Sequence, residues 1–158
     1  MGFDVKQVCM NGHFITDLAR IKPESAQKYC GNCGEATITS CQNCATEIRG
    51  RDLSPGHINI GGVVPAYCHN CGKPYPWTQS RLKAAHDLVE EMSDLSAEEK
   101  ELLAHSIDDI VQDGPRTELA VIRFKRLLSK VGKPSADAFK NILYGVVAGG
   151  VARAIWGG

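Results

Sequence analysis

The chain has 158 residues, 43% of them hydrophobic, with 18 basic and 18 acidic side chains and a formal net charge of zero. That length admits one ordinary domain or two small ones, and the apolar content excludes wholesale disorder. Balanced charge excludes the bulk attraction that draws basic proteins to nucleic acid or to anionic membranes.

The first half is punctuated by cysteine. All seven cysteines fall between Cys9 and Cys71. Short β-rich stretches fit between them at His13–Asp17, Thr37–Ser40 and His57–Val64. A secreted disulfide framework favours an even count behind a signal peptide. The opening Met1-Gly2-Phe3-Asp4-Val5-Lys6 has neither a basic leader nor an apolar core, so a reducing, cytoplasmic location is expected.

The second half reads as four helices, with the boundary near Pro76-Trp77-Thr78: a double zinc-ribbon domain over 1–77 and a helical domain over 78–158. The first helix covers Gln79–Met92, with Thr78 as N-cap and Leu82, Ala85, Val89 and Met92 on one stripe. The second opens on a Ser96-x-x-Glu99 capping box, carries Leu102, Leu103, Ile107, Ile110 and Val111, and stops at Gly114-Pro115. The third runs from Arg116 to Val131 and is expected to bury Leu119, Ile122, Phe124 and Leu127. After Gly132-Lys133-Pro134, Ser135 caps a fourth that carries Phe139, Ile142, Leu143, Val146, Val147, Val151 and Ile155.

The cysteine spacing carries the chemistry. Lys28-Tyr29-Cys30-Gly31-Asn32-Cys33-Gly34 returns as Ala66-Tyr67-Cys68-His69-Asn70-Cys71-Gly72, and each copy follows another pair, Cys9 with His13 and Cys41 with Cys44. Zinc takes four thiolate or imidazole ligands in a tetrahedron. A Cys-x-x-Cys turn offers two sulfurs on one side of a metal, and the following glycine permits the left-handed backbone that closes it. Cys9, His13, Cys30, Cys33, Cys41, Cys44, Cys68 and Cys71 make eight ligands, so two structural Zn2+ close with nothing left over. Sequential pairing leaves internal gaps of 16 and 23 residues, each long enough for a hairpin, and the repeated ending favours it. Crossed pairing, as in RING-type folds, and a nested site spanning Cys30–Cys44 remain open. A redox pair would want a βαβ context that is missing here. Four-thiolate iron is chemically possible, but three cysteines with one histidine suit zinc better. His69, inside its turn, is expected to point outward, and His57, His86 and His105 to be surface or packing histidines. Eight protein ligands for two ions leave no position open for a catalytic water. No nucleophile elbow, P-loop or dinucleotide fingerprint occurs in the chain, so no enzyme activity is expected.

Val8-Cys9-Met10-Asn11-Gly12-His13, Tyr29-Cys30 through Gly34, and Tyr67-Cys68-His69-Asn70-Cys71-Gly72-Lys73-Pro74-Tyr75-Pro76-Trp77 resemble a bacterial family of uncharacterised zinc-ribbon proteins. Arg116-Thr117 and Arg123-Phe124-Lys125-Arg126-Leu127-Leu128 look similar too, and the stretch from Gly145 to Gly158 matches least. The resemblance implies bacterial origin, two zinc ribbons and a helical tail, and implies no activity.

The expected role is a zinc-binding adaptor whose partner is a protein. Candidate contact residues are Asn32, Gln42, Asn43, His69 and Asn70 on the metal turns, with Tyr75 and Trp77 beside them; alternatively Trp77 staples the ribbons to the first helix. Nucleic-acid binding is the main alternative, although residues 1–79 hold only seven basic against six acidic side chains. A RING-like ligase would require the crossed pairing. Charge in the helical half is segregated: ten acidic residues and one lysine from Asp87 to Asp113, then seven basic and two acidic from Arg116 to Lys140. Either the two helices pair, or Arg123, Lys125, Arg126 and Lys130 bind phosphate or an acidic partner. No charge interrupts Asn141–Ala152, which contains Gly145-x-x-x-Gly149 and covers more than one helical face with apolar residues. Self-association through this helix is expected. The run is too short for a membrane span, which needs about 20 apolar residues.

Overall fold

Hydrogen bonding around the first ligand pair organises the N-terminal part. A computed structural model describes residues 2–59 and 62–157, and the contacts divide into two units, Met1–Gln79 and Ser80–Gly158. In the first unit, β1 (Phe3–Val5) pairs antiparallel with β5 (Arg49–Asp52). A second sheet places β2 (Gln7–Cys9) between β3 (Phe14–Thr16) and β4 (Thr37–Ile38), both antiparallel to it. Only Lys6 separates β1 from β2, and its backbone N–H donates to the Ile48 carbonyl at 2.8 Å.

Two buried polar side chains hold the connecting segments. The Asp4 carboxylate, 2% exposed, accepts from the backbone N–H groups of Val5, Arg20 and Ile21 at 2.6, 3.0 and 3.1 Å. The Gln7 amide donates to the Gln27 carbonyl and accepts from the Gln27 N–H, each at 2.9 Å, so the strand before Cys9 is tied to the segment before Cys30. Each bond satisfies a buried group that would otherwise cost about 1–3 kcal/mol.

The strand content differs from the sequence pattern. His57–Asn59 and residues 62–64 carry no strand, and the rest of the expected His57–Val64 stretch, Ile60 and Gly61, lies outside the described residues. The chain instead uses Arg49-Gly50-Arg51-Asp52, which has no apolar alternation. Gly50 explains its presence. A Cβ there would stand 2.3 Å from the Asp17 carbonyl oxygen and 2.8 Å from the Val5 carbonyl carbon. Close backbone approach, rather than side-chain burial, seats this strand.

Among the described residues the helical half contains five helices rather than four: α1 (Pro76–Glu90), α2 (Ala97–Gln112), α3 (Thr117–Leu128), α4 (Lys133–Leu143) and α5 (Gly149–Trp156). The division between units falls inside α1. Thr78 does not cap α1. It sits fully buried in the first turn, donating its hydroxyl to the Ala66 carbonyl at 2.7 Å, because Pro76 already supplies a φ suited to a helix start. Ser96 and Glu99 form the expected capping box on α2, and Asp113 ends it in the left-handed region at φ 48°. Gly132, not Ser135, caps α4, with a proline in the first turn. The long apolar terminal helix breaks between Leu143 and Gly149. The break turns Val146 and Val147 inward, and Val151 and Ile155 are buried as well, while Tyr144 stays exposed.

In α3 the buried stripe is Thr117, Ala120, Val121, Phe124 and Leu127, a 3.6-residue repeat. Leu119 and Ile122 are 42% and 65% exposed, against expectation, because small Ala120 takes the inward position. Phe124, fully buried, receives the Phe139 ring edge-on at 6.0 Å and the Trp156 ring at 6.2 Å. Helices α2 and α3 pack together, and α2 forms ion pairs with the two cations that flank α3, Arg116 with Asp109 at 3.1 Å and Lys130 with Glu99. Internal pairing of the acidic and basic helices is therefore present, through Arg116 and Lys130. Hydrogen bonding from Lys130 holds the Glu99 carboxyl below its ordinary range. A depressed carboxyl contributes stability above its unfolded pKa and loses it as pH falls through the folded one.

Two outcomes follow from this packing. Gly50→Ala should destabilise the first unit by about 3 kcal/mol, as overpacking against backbone does, read by thermal unfolding with metal bound. Lys130→Ala should raise the Glu99 pKa in an NMR titration and lower the melting temperature slightly, most at low salt. An unmoved Glu99 titration would show that the pair contributes nothing in solution.

Candidate metal centres

Four turns of one construction deliver the ligands. In three of them the first cysteine's N–H bonds a carbonyl five residues on: Cys30 to Glu35 at 2.8 Å, Cys41 to Thr46 at 2.8 Å and Cys68 to Lys73 at 2.9 Å. The same cysteine's carbonyl accepts from Gly34, Ala45 or Gly72, each at 2.9 Å. Its sulfur accepts from the backbone N–H of Asn32, Asn43 or Asn70, each at 3.4 Å. The fourth turn is a variant, in which the His13 N–H donates to Cys9 Sγ at 3.3 Å and the Gly12 N–H to the Cys9 carbonyl at 2.8 Å. Single antiparallel bridges, Tyr29 with Ala36, Ser40 with Glu47 and Tyr67 with Pro74, close the bases of the three Cys-x-x-Cys turns.

The residue after the second cysteine must enter the left-handed region. Gly34 and Gly72 do so at φ 77° and 73°. Ala45 does so at φ 62°, where a Cβ is unfavourable. Cys41-Gln42-Asn43-Cys44-Ala45 is thus a third copy of the turn that lacks the glycine marking the other two.

The turns converge in sequential pairs. Cys9, His13, Cys30 and Cys33 form one group, and Cys41, Cys44, Cys68 and Cys71 the other, with the ligand atoms of each group within 4.8 Å of one another. This grouping removes the crossed pairing that a RING-like fold requires, and the nested one. Cys9 Sγ lies 3.3 Å from His13 Nδ1 and 3.7 Å from Cys33 Sγ, with Cys30 Sγ 3.6 Å from His13 Nδ1. In the second group the Cys41–Cys71 and Cys44–Cys68 sulfur pairs are each 3.7 Å apart. Tetrahedral bonds of about 2.3 Å to sulfur and 2.0 Å to nitrogen put sulfurs about 3.8 Å apart and sulfur about 3.5 Å from nitrogen. Both groups can therefore hold a metal ion, with geometry compatible with zinc.

Neighbouring donors favour the thiolate form. The Thr46 hydroxyl, then the Thr46 N–H and the Asn70 amide, bring the Cys44 thiol down to about 6. Backbone N–H groups lower Cys30, Cys33 and Cys68 as well, through Asn32, Glu35 and Cys71 respectively, while burial raises Cys9. The Asn11 amide donates to Cys33 Sγ at 3.5 Å, and the Asn70 amide to Cys44 Sγ at 3.6 Å. Asn11 and Thr46 were not legible as site residues, because no spacing rule marks a side chain that bonds a ligand rather than the metal.

Several expected contact residues stand elsewhere. Tyr75 and Trp77 are each 2% exposed, stacked with ring centroids 4.7 Å apart and packed with Val8, Ile48, Cys41 and Cys68. Trp77 Nε1 donates to the Pro65 carbonyl at 2.8 Å, and the Trp77 side chain fills the space above Gly12, where a Cβ would come within 2.9 Å. Both are core residues, so they offer no docking surface. Burial, together with the charge on Cys68, raises the Tyr75 pKa strongly. Asn32, Gln42, Asn43 and His69 are exposed, and Asn70 is exposed with its amide committed to sulfur. Lys125 and Arg126 are exposed, Lys125 Nζ donating to the Ala154 carbonyl at 3.3 Å, and Arg123 is half-buried. His86, expected to be a surface or packing histidine, has Nε2 2.8 Å from the Asp108 carboxylate.

Cys41→Ser should release the metal of its group and unfold the first unit, since metal binding there is folding free energy. Metal content and circular dichroism that match the unsubstituted protein would refute the ligand assignment. Ala45→Gly should stabilise the same unit by about 0.5 kcal/mol, a left-handed penalty of about 1 kcal/mol less the added chain entropy. Gly72→Ala should shift the melting temperature the opposite way.

Comparison with curated proteins and with solved structures gives no match. A protein-family model does match, over residues 2–155. Those residues include both ligand groups and nearly all of the helical half, and on that match the chain belongs to the bacterial family described as "uncharacterized protein conserved in bacteria" (DUF2321).

Proposed function

We propose that this protein is a non-catalytic adaptor of the bacterial cytoplasm, in which two structural zinc ions hold a surface for binding another protein. The closed ligand groups carry this reading. Each offers four protein donors to one ion, and a tetrahedral ion so bound has no position left for a reacting water. The three-sulfur, one-nitrogen set favours zinc over iron.

Charge speaks for a protein rather than a nucleic acid. Residues 1–79 carry seven basic and six acidic side chains, and two divalent ions on seven thiolates add −3. Contact with phosphate backbones depends on an excess of Lys and Arg. Exposed apolar and aromatic side chains are instead available in this unit at Phe3, Ile21, Tyr29 and Ile58, the residue types that protein interfaces enrich.

Purified protein should contain two zinc ions per chain by elemental analysis; one ion, or iron, would defeat the cofactor assignment. Titration against single- and double-stranded nucleic acid should show no binding at physiological salt. Binding that weakens steeply as salt rises would replace this reading with nucleic-acid recognition. Glu substitutions at the exposed Gln42 and Asn43 should weaken a captured protein partner by about tenfold or more, as charges do in an interface, with zinc content unchanged.

A further inference from the structure

The first unit has a small recess of about 190 Å³ whose walls include Lys6, Arg49, Tyr67 and His69. None of its described lining residues is acidic. Val63 and Pro65 give it an apolar side. Its size is below the roughly 300 Å³ where whole small-molecule ligands begin to fit, so it suits one side chain rather than a cofactor.

The two cations are incompletely satisfied. Lys6 is 9% exposed, and its ammonium donates to the Val63 carbonyl, a neutral acceptor. Burial lowers its pKa, with Asp17 opposing. Asp17 is itself 3.3 Å from Arg51, in an ion pair. The Arg49 guanidinium lies 4.9 Å from the Phe3 ring centroid, and among the described residues no carboxylate pairs with it or with Lys6. A buried ammonium bonded only to a neutral carbonyl, and an arginine on the same recess with no carboxylate partner, form an arrangement that an oxyanion completes. Strand pairing of β1 with β5 brings the two together: Arg49 lies opposite Val5, the neighbour of Lys6.

We propose that this recess binds the terminal oxyanion of one partner side chain, a carboxylate or a phosphoryl group, with Arg49 and Lys6 holding the oxygens and the apolar side taking the stem. The proposal rests on the protein-partner reading and supplies the chemistry of the residue recognised.

The test uses the full-length, metal-loaded protein and three probes: inorganic phosphate, N-acetyl-phosphoserine methylamide and N-acetyl-glutamate methylamide. Saturable NMR shifts are expected at Lys6, Arg49 and Tyr67, with a dissociation constant on the order of 1 mM for the better blocked amino acid. The two amino-acid arms decide between phosphoryl and carboxylate. Arg49→Gln, at an exposed position, should weaken binding by about tenfold while zinc content and thermal unfolding stay unchanged, and Arg49→Lys should restore part of it. Phosphate binding without either amino acid, undiminished binding in Arg49→Gln, or no binding by any probe would each overturn the proposal. In the last case the cations serve as internal counter-charges to Asp17 and to the metal thiolates. Failure to find any protein partner would instead count against the adaptor reading, because the small probes report on the recess alone.

Discussion

Convergence of four backbone turns on two sets of ligand atoms is the constraint on which the first unit depends. Its strands are two to four residues long, too short to be stable by themselves. Its apolar core is little more than Val8, Ile48, Tyr75 and Trp77 closed over two ligand cysteines. A core of that size does not offset the conformational entropy of some eighty residues. A metal ion held by each ligand group would supply the difference, and the turns are built to present those groups. N–H groups point at the sulfurs, bridges close the turn bases, and Gln7 fixes how far the first turn lies from the second.

The second unit obeys a different rule. Its helices are amphipathic and bury a continuous stripe, with Phe124 at the point where α3 meets Phe139 and Trp156. Breaking the terminal helix is what completes this core. Gly145 lies in the break, and a Cβ there would come within 3.3 Å of the Arg81 guanidinium, whose Nη1 donates to the Ile142 carbonyl at 3.2 Å. One arginine thus occupies the space at the glycine and satisfies a carbonyl at the end of α4. The apolar patch that motivated self-association is largely covered from within the chain, leaving Leu119, Ile122 and Tyr144 as the exposed large apolar side chains of this unit among the described residues.

The proposed function rests on what the candidate metal turns leave on the outside. The proposed adaptor role puts recognition on the exposed Asn32, Gln42, Asn43 and His69 and in the cationic recess at Lys6 and Arg49. Metal bound beneath such a surface would preorganise it, so that ordering it on binding would cost little.

The sequence by itself determined the candidate ligands. Metal coordination needs specific atoms at short chain separations, and Cys-x-x-Cys followed by glycine records both the donors and the backbone conformation that presents them. It also determined the capping box at Ser96 and Glu99 and the helical character of the second half, because these depend on neighbours within one or two turns. Tertiary structure alone decided which pairs converge on one candidate site, since all three groupings satisfy the same count of donors. It decided that Tyr75 and Trp77 face inward, because an aromatic beside a metal turn packs equally well against a partner or against its own core. It placed β5, which Gly50 seats by closeness to Asp17 and Val5 and not by any pattern of its own. It set the phase of α3 as well: Leu119, Ile122, Val121 and Phe124 are apolar alike, and only the approach of α2, α4 and α5 determines which of them lie inside.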